Sequence, residues 1–420
     1  MSTPDTAPGV ARPVPALSEN DIQARPSALL GLAQLLRAAY RDEDLTVHVP
    51  DLVERGQADD AYAMLDLALI LQLRFQKEQG LAVLREALKI RRSFRLCTGQ
   101  STSLRVLVIK VPGDLMANTP LECILENAGF TLDVLYVDEI LPWPTVVPDH
   151  ELAFVAISEA DAHRSVLAQL AAYMEAWPRP VLNPAHRIPQ LSRTSAFEML
   201  REVPGLCVAA TCRISRANLQ QLVAEPSRQD VMLPQIRFPL ILRPIGSHAG
   251  TDLCKIDGWP GVDDYLQRVQ AAEFFVANFI EYASGDGLFR KYRVVLIEGR
   301  PFVCHMGISR HWMVHYPYDE MRDDAARRAE EAACMASFDE GFARRHGAAI
   351  AALQERFELD YVGFDCAETR DGKLLIFEMA NALVIHAMDD PVMFPYKAAQ
   401  MRKVFDAFSG MLRRRAATEH

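Results

Sequence analysis

The sequence predicts a chain of mixed α/β and α+β class, and three observations carry that expectation. Between Leu29 and Ile90 apolar residues recur at helical spacing. Between Ser103 and Asn183 short apolar runs alternate with helical stretches, the pattern of a parallel α/β layer. Beyond Asn183 strands and helices segregate and finish in a hairpin signal. A length of 420 residues with 50% hydrophobic composition suffices for two to three domains with ordinary cores. The net charge of −10 argues against nucleic acid or a membrane surface as partner. Eight cysteines without CxxC spacing read as packed, reduced thiols, and the start does not look like a signal peptide, so a cytoplasmic protein is expected.

Taken in order, residues 1–25 are proline-rich and read as a flexible lead-in. Residues 26–100 read as helical. Ala61, Leu65, Ala68, Leu69 and Leu73 make one stripe, and Leu81, Leu84, Ala87 and Leu88 a second after an expected turn at Gly80. This resembles one tetratricopeptide-like hairpin, read as packing on its own chain, with docking of a protein partner as the alternative. In residues 101–183 strands are expected at Leu104 to Val111, Thr131 to Val137, Leu152 to Ile157 and Pro180 to Leu182, with helices at Ala117 to Ala128 and Ala162 to Trp177. Pro112-Gly113-Asp114 lies at a strand's carboxyl end, where open sheets bind ligands, but without a GxGxxG.

Further on, helices are expected at Leu191 to Glu202, Ser215 to Val223 and, interrupted, Arg322 to Phe357. Strands are expected at Leu206 to Ala210, Phe238 to Arg243, Phe274 to Glu281, Tyr292 to Glu298 and Pro301 to Met306. Tyr361 to Ala367 and Lys373 to Met379, joined by Thr369-Arg370-Asp371-Gly372, form the hairpin. The run Arg413-Arg414-Arg415 reads as a solvated helix end.

Two elements carry chemistry. Asp365 and Glu378 lie one on each hairpin strand and can share a face, with Asn381 just beyond, an oxygen-rich set suited to Mg²⁺. Their apolar neighbours make solvent-facing acids a costly alternative. In the run from Phe238 to Gly250, a strand delivers Arg243 into a loop of Gly246, Ser247, His248 and Gly250, whose backbone N–H groups suit a polyphosphate.

In order and spacing these parts resemble the ATP-grasp superfamily, specifically its glutathione synthetase-like carboxylate–amine ligase branch, across about Leu104 to Leu412. The resemblance implies a Rossmann-like pre-ATP-grasp domain at 101–183, a small ATP-grasp lobe with the phosphate loop at 184–273, and a C-terminal lobe with the metal site at 274–420. It implies that Arg193 and Arg243 bind ATP phosphates, where the family usually has lysines, and that Gly246, Ser247, His248 and Gly250 cover them. By the same resemblance, Asn278 and Ile280 meet adenine through their main chain, and Glu281 or Asp286 holds the ribose. Arg293 and Arg243 act on the transferring phosphate, and Asp365, Glu378 and Asn381 bind Mg²⁺. The family's asparagine usually sits two residues after the glutamate, where this chain has Ala380.

Arg310, His311 and His386 are further candidates for the substrate side. The implied activity is an ADP-forming, ATP- and Mg²⁺-dependent ligation of a small carboxylate to an amine through an acyl phosphate. The alternatives are an ATP-binding scaffold with a degenerate site and an ATP-grasp phosphotransferase. A homo-oligomer is expected.

Overall fold

The computed structural model describes residues 29–99, 104–139, 143–144, 146–247, 250–315 and 319–417. The expected lead-in at 1–25 and His248 lie outside them.

Four helices open the described chain: α1 (Gly31–Tyr40), α2 (Val49–Gln57), α3 (Ala61–Leu73) and α4 (Lys77–Ile90). The carboxylate of Asp60 caps α3 through the N–H groups of Tyr62 and Ala63. Within α3, fully buried Asp66 accepts from the N–H groups of Leu30 and Gly31 at 2.7 and 2.9 Å, tying down the start of α1. Gly80 does not turn the chain as expected. It lies inside α4, and the turn falls at Arg74 to Gln76 with Phe75 at φ +60°. The glycine serves close approach instead, since a Cβ there would stand 2.8 Å from the Ala68 carbonyl oxygen.

The first sheet has the order β1 (Ser93–Cys97), β3 (Phe130–Tyr136), β2 (Leu104–Lys110), β4 (Leu152–Val155), β5 (Val181–Leu182). The last four are parallel, as the alternating texture implies, while β1 joins antiparallel from within the segment read as helical. Of the helix expected at Ala117 to Ala128 only α5 (Leu121–Ile124) forms; Asn118 instead bonds both backbone polar groups of Val111. Helix α6 (Arg164–Met174) packs Val166, Leu167 and Leu170 into the core.

Next come β6 (Leu206–Val208), preceded by α7 (Arg193–Leu200), and a small antiparallel sheet. Its order is β7 (Thr211–Ser215), β10 (Glu273–Asn278), β8 (Leu240–Pro244), β9 (Cys254–Ile256). Helices α8 (Arg216–Ala224), α9 (Gln229–Met232) and α10 (Trp259–Arg268) accompany it. This sheet has a core of its own around Leu219, Leu242, Val262, Tyr265 and Phe274.

The largest antiparallel layer runs β12 (Arg300–Ser309), β11 (Phe289–Ile297), β13 (Tyr361–Glu368), β14 (Leu374–Ala380), with β6 parallel at its edge. Strand alternation sorts its two faces. Tyr292, Val294, Phe364, Ile376 and Met379 face a core shared with α12 (Ala325–Ala336) and α13 (Gly347–Phe357), which follow α11 (Asp319–Asp323). Val295, Tyr361 and Cys304 face α14 (Lys397–Ala417).

Phe408 of α14 packs on Phe154 of the first sheet and Tyr361 of the third, with ring centroids 5.8 and 5.1 Å apart, so this helix is a wedge between them. A side chain buried this fully contributes about 1.5–3 kcal/mol. The arginines at its end are not merely solvated. Arg413 donates to the Ala128 carbonyl and lies over Phe130, Arg414 pairs with Glu298, and Arg415 pairs with Asp360.

Among the described residues no helix is long and apolar enough to cross a membrane.

Candidate nucleotide and metal site

The expected acid pair forms at one register position: Asp365 on β13 stands directly opposite Glu378 on β14. One step on, Cys366 pairs with Ile376, so Phe377 is an extra residue in β14. The bulge resets the alternation. Leu375 and Phe377 belong to a small apolar cluster with Tyr282, Ala367, Ile280, Phe289 and Cys207, whereas Met379 faces the core shared with α12 and α13. The register therefore puts Phe377, packed in that apolar cluster, directly before the Glu378 carboxylate.

No register shift falls between Glu378 and Ala380, so ordinary alternation carries Asn381, three residues on, away from the acids. Its amide donates to the Ile157 carbonyl at 2.7 Å, Thr119 donates to its backbone carbonyl, and its side-chain oxygen is buried with no hydrogen-bond partner among the described residues. The structure places this asparagine in the seam with the first sheet.

Four cations surround the two carboxylates. Arg293 donates to Asp365 through Nε and Nη2 at 2.8 and 3.1 Å, and Lys291 Nζ lies 2.7 Å from Oδ2. Burial would raise the Asp365 carboxyl, but these two cations overcome it and hold the group well below the ordinary carboxylate range. Arg193, in the first turn of α7, donates to the Phe377 carbonyl at 3.1 Å and to the Glu378 carboxylate. Against the cost of burial it holds Glu378 below its usual range, while Asp365 pushes the other way.

Arg243, the fourth, is buried at the end of β8. Its guanidinium folds onto its own loop, donating to the Ser247 hydroxyl at 3.1 Å and to the Ser247 carbonyl. Burial and the nearby charge of Arg193 push it down to about 10, with Glu378 pulling back. Gly246 and Gly250 take φ of +76° and +71°, and a Cβ on Gly250 would lie 2.4 Å from His315 Nε2, so the loop reaches the third sheet's lobe. Burial and Lys291 keep the His315 imidazole below its ordinary range.

The remaining candidates divide. Asn278 is occupied: its N–H donates to the Ala210 carbonyl, and its side chain bonds Arg237 and Gln235. Ile280 lies in the apolar cluster under Phe377. Asp286 is engaged by Arg290 at 2.8 and 3.1 Å and by the Leu288 N–H, whereas Glu281 accepts from the Ala283 N–H at 2.9 Å. Arg310 and His311 are exposed on the bend after β12. The rings of His386 and Tyr40 meet at a tilt of 60°, with centroids 4.5 Å apart.

Lys291 and His315 were not among the residues the sequence offered, because nothing local marks them as neighbours of the acid pair. A cavity of about 410 Å³ lined by Arg300, Phe302, Met335, Phe338, Asp339 and Lys403 includes none of these groups.

No family model and no curated protein matches the chain. Among solved structures it is similar to D-alanine–D-alanine ligase from Bacillus anthracis complexed with ATP, at 14% identity over 76% of this chain and 100% of that one, TM-score 0.43. It is also similar to a RimK domain ATP-grasp protein from Sphaerobacter thermophilus, at 16% over 74% and 99%, TM-score 0.41. A third is the VanG D-Ala:D-Ser ligase from Enterococcus faecalis, at 13% over 74% and 99%, TM-score 0.45. These are low-identity likenesses of fold.

As for a metal, no group of three or more His, Cys, Asp or Glu side chains is arranged to hold one among the described residues. Asp365 and Glu378 are two hard oxygen donors on one face. They fit Mg²⁺ that arrives with phosphate oxygens and water as its other ligands, and do not form a protein-only cage.

Proposed function

We propose that the chain is an ATP- and Mg²⁺-dependent ligase of ATP-grasp type, joining a small carboxylate to an amine through an acyl phosphate. The observation that supports this best is the register pair Asp365 and Glu378 ringed by Arg193, Arg243, Lys291 and Arg293. Two acids alone would repel a polyphosphate, whereas four fixed cations beside them draw it in and offset the charge that spreads over a transferring phosphoryl group. Asp365 and Glu378 would hold Mg²⁺, which supplies further charge neutralisation when bound.

On this reading Phe377, Ile280 and Tyr282 line the purine slot and Glu281 meets the ribose. The loop from Gly246 to Gly250 covers the phosphates, and Arg293 orients the γ-phosphoryl group against the carboxylate. That carboxylate oxygen takes the phosphoryl group as the bond to ADP breaks. The amine then attacks the acyl carbon, inorganic phosphate leaves, and the amine's extra proton passes to solvent.

The displaced Asn381 favours a second reading, a scaffold that binds ATP without turnover. One assay separates them. With ATP, Mg²⁺, a panel of carboxylates and hydroxylamine, the ligase gives ADP and a hydroxamate. ATP binding indifferent to Mg²⁺, with neither product, supports the scaffold.

A further inference from the structure

The large antiparallel sheet carries a row of four polar side chains, one per strand. Glu378 on β14 stands opposite Asp365 on β13, Asp365 opposite Arg293 on β11, and Arg293 opposite His305 on β12. Residues directly opposite each other in an antiparallel pair share a face, so all four project on the side of the acid cluster. A second bulge puts His305 there. Arg293 pairs with His305 but Val294 pairs with Val303, which leaves Cys304 as the extra residue of β12. Val303 and Met306 face the core shared with α12 and α13, whereas Cys304 faces α14. His305, next to Cys304 and opposite Arg293, is thereby kept out of the first core and set beside the guanidinium.

The row has a direction. The apolar cluster of Phe377, Ile280 and Cys207 lies at its β14 and β6 end, and each further strand leads away from it by about 4.7–4.9 Å. With the purine at that end, the metal on the acids and the γ-phosphoryl group at Arg293, the next strand along carries the side chain nearest the group that receives the phosphoryl. His305 holds that position.

The charges around it select an anion. Lys291 and Arg293 share the single carboxylate of Asp365, at 2.7 and 2.8 Å, and Glu378 is engaged by Arg193, so one positive charge is left in excess. Lys397, also near His305, is answered by Glu331 at 2.9 Å. Burial, with Arg293 and Lys397 acting in the same direction, holds the imidazole well below its ordinary range and hence neutral. The face is reached from solvent, since the side chains of Arg293 and Lys291 stay 22% and 17% exposed and His305 is itself partly exposed. Beyond β12 the chain folds back over Gly307, where a Cβ would meet Val314 Cγ1 at 2.8 Å, and Lys291 donates to the Val314 carbonyl at 3.3 Å. That return bounds the row on its Lys291 side.

We propose that His305 is a substrate-binding residue, donating to one oxygen of the substrate carboxylate beside Arg293 while the other oxygen takes the phosphoryl group. No proton is transferred in this contact. The inference rests on the ligase reading and supplies the side chain that reading lacks, the one that holds the carboxylate.

The test uses the full chain with ATP, Mg²⁺, the common amino acids as carboxylate donors and hydroxylamine as nucleophile, and carries forward the amino acid that gives most hydroxamate. His305→Ala should raise the KM for that carboxylate about tenfold. Calorimetry should show the same loss when the amino acid is titrated into the complex with Mg²⁺ and a non-hydrolysable ATP analogue, while the affinity for the analogue itself stays within about twofold of the parent's. Should His305→Ala fail to fold, His305→Leu, which fills the space without an N–H donor, carries the same expectation. Unchanged carboxylate affinity and KM in the variant while hydroxamate still forms overturn the inference and leave the ligase reading intact. Parallel loss of carboxylate and analogue affinity shows a structural role and overturns it as well. Absence of both ADP and hydroxamate with the parent protein overturns the ligase reading and this inference with it.

Discussion

Arg193 in α7 and Glu378 in β14 lie 185 positions apart and form an ion pair that joins the lobe start to the edge of the acid cluster. The pair is partly open to solvent, with side chains 26% and 31% exposed. Exposed pairs of this kind are worth about 0–1 kcal/mol. Its importance is therefore in the charge it presents to a nucleotide.

Glu378→Gln should separate these two roles. Turnover should fall roughly 10²-fold or more, because an anionic metal ligand is lost. Stability should move by less than about 1 kcal/mol. Steady-state ADP release and urea unfolding of the same variant check both halves, and activity within a factor of a few of the parent removes Glu378 from the metal site.

Asp365→Asn should behave differently. Asp365 is 1% exposed and compensates both Arg293 and Lys291. Removing its charge leaves two cations under-compensated, and breaking buried pairs costs about 3–5 kcal/mol. Urea unfolding should show this loss, together with loss of turnover.

The acid pair was legible in the sequence because it depends on local signals: two apolar strands, a Thr-Arg-Asp-Gly turn and matched spacing. The position of the bulge at Phe377 was not. It shifts which residues of β14 face the core shared with α12 and α13, a pairing detail that spacing along one strand does not carry, and the bond of Asn381 to Ile157 is a contact across 224 positions. Gly80 misled for a related reason, since a glycine that admits a neighbouring helix and one that turns the chain look alike until the neighbour is known. The tilted contact of Tyr40 with His386 joins two ends of the chain and left no local trace. Local pattern reported strands, helices and charge; it could not report contacts that depend on three sheets meeting.

Arg243→Ala should weaken ATP binding about tenfold or more, about 1.4 kcal/mol per decade, measured by calorimetry. Arg243→Lys should retain much of the affinity, because a charge remains, while the bonds that tie the guanidinium to Ser247 are lost. Equal affinity in the parent and both variants would show that Arg243 does not face phosphate.

Gly80→Ala should destabilise the N-terminal helices by about 1–3 kcal/mol, the usual range for overpacking. The added methyl group would stand 2.8 Å from a backbone carbonyl and 2.7 Å from Gln72 Cγ, and the carbonyl cannot swing aside as a flexible side chain can. A variant with parent-like thermal stability would place the α3 and α4 axes farther apart than the structure has them.

His386 supplies a pH test with a defined sign. Burial, more than the opposing pull of Asp389, pushes its imidazole down to about 4 from an ordinary value of 6.5, and Lys397, Arg293 and Arg37 act in the same direction as burial. The folded protein therefore binds fewer protons than the unfolded chain between those values. The stability this group contributes is complete above pH 6.5 and is lost as pH falls toward 4, by up to about 3 kcal/mol. His386→Gln cannot titrate, so its unfolding free energy should fall less steeply than the parent's between pH 7.5 and 4.5. Urea unfolding at both pH values for both proteins isolates the difference, because every other carboxylate and histidine is common to them. Parallel pH profiles would show that His386 is protonated equally well in the folded and unfolded chain, and hence that its surroundings are open to water.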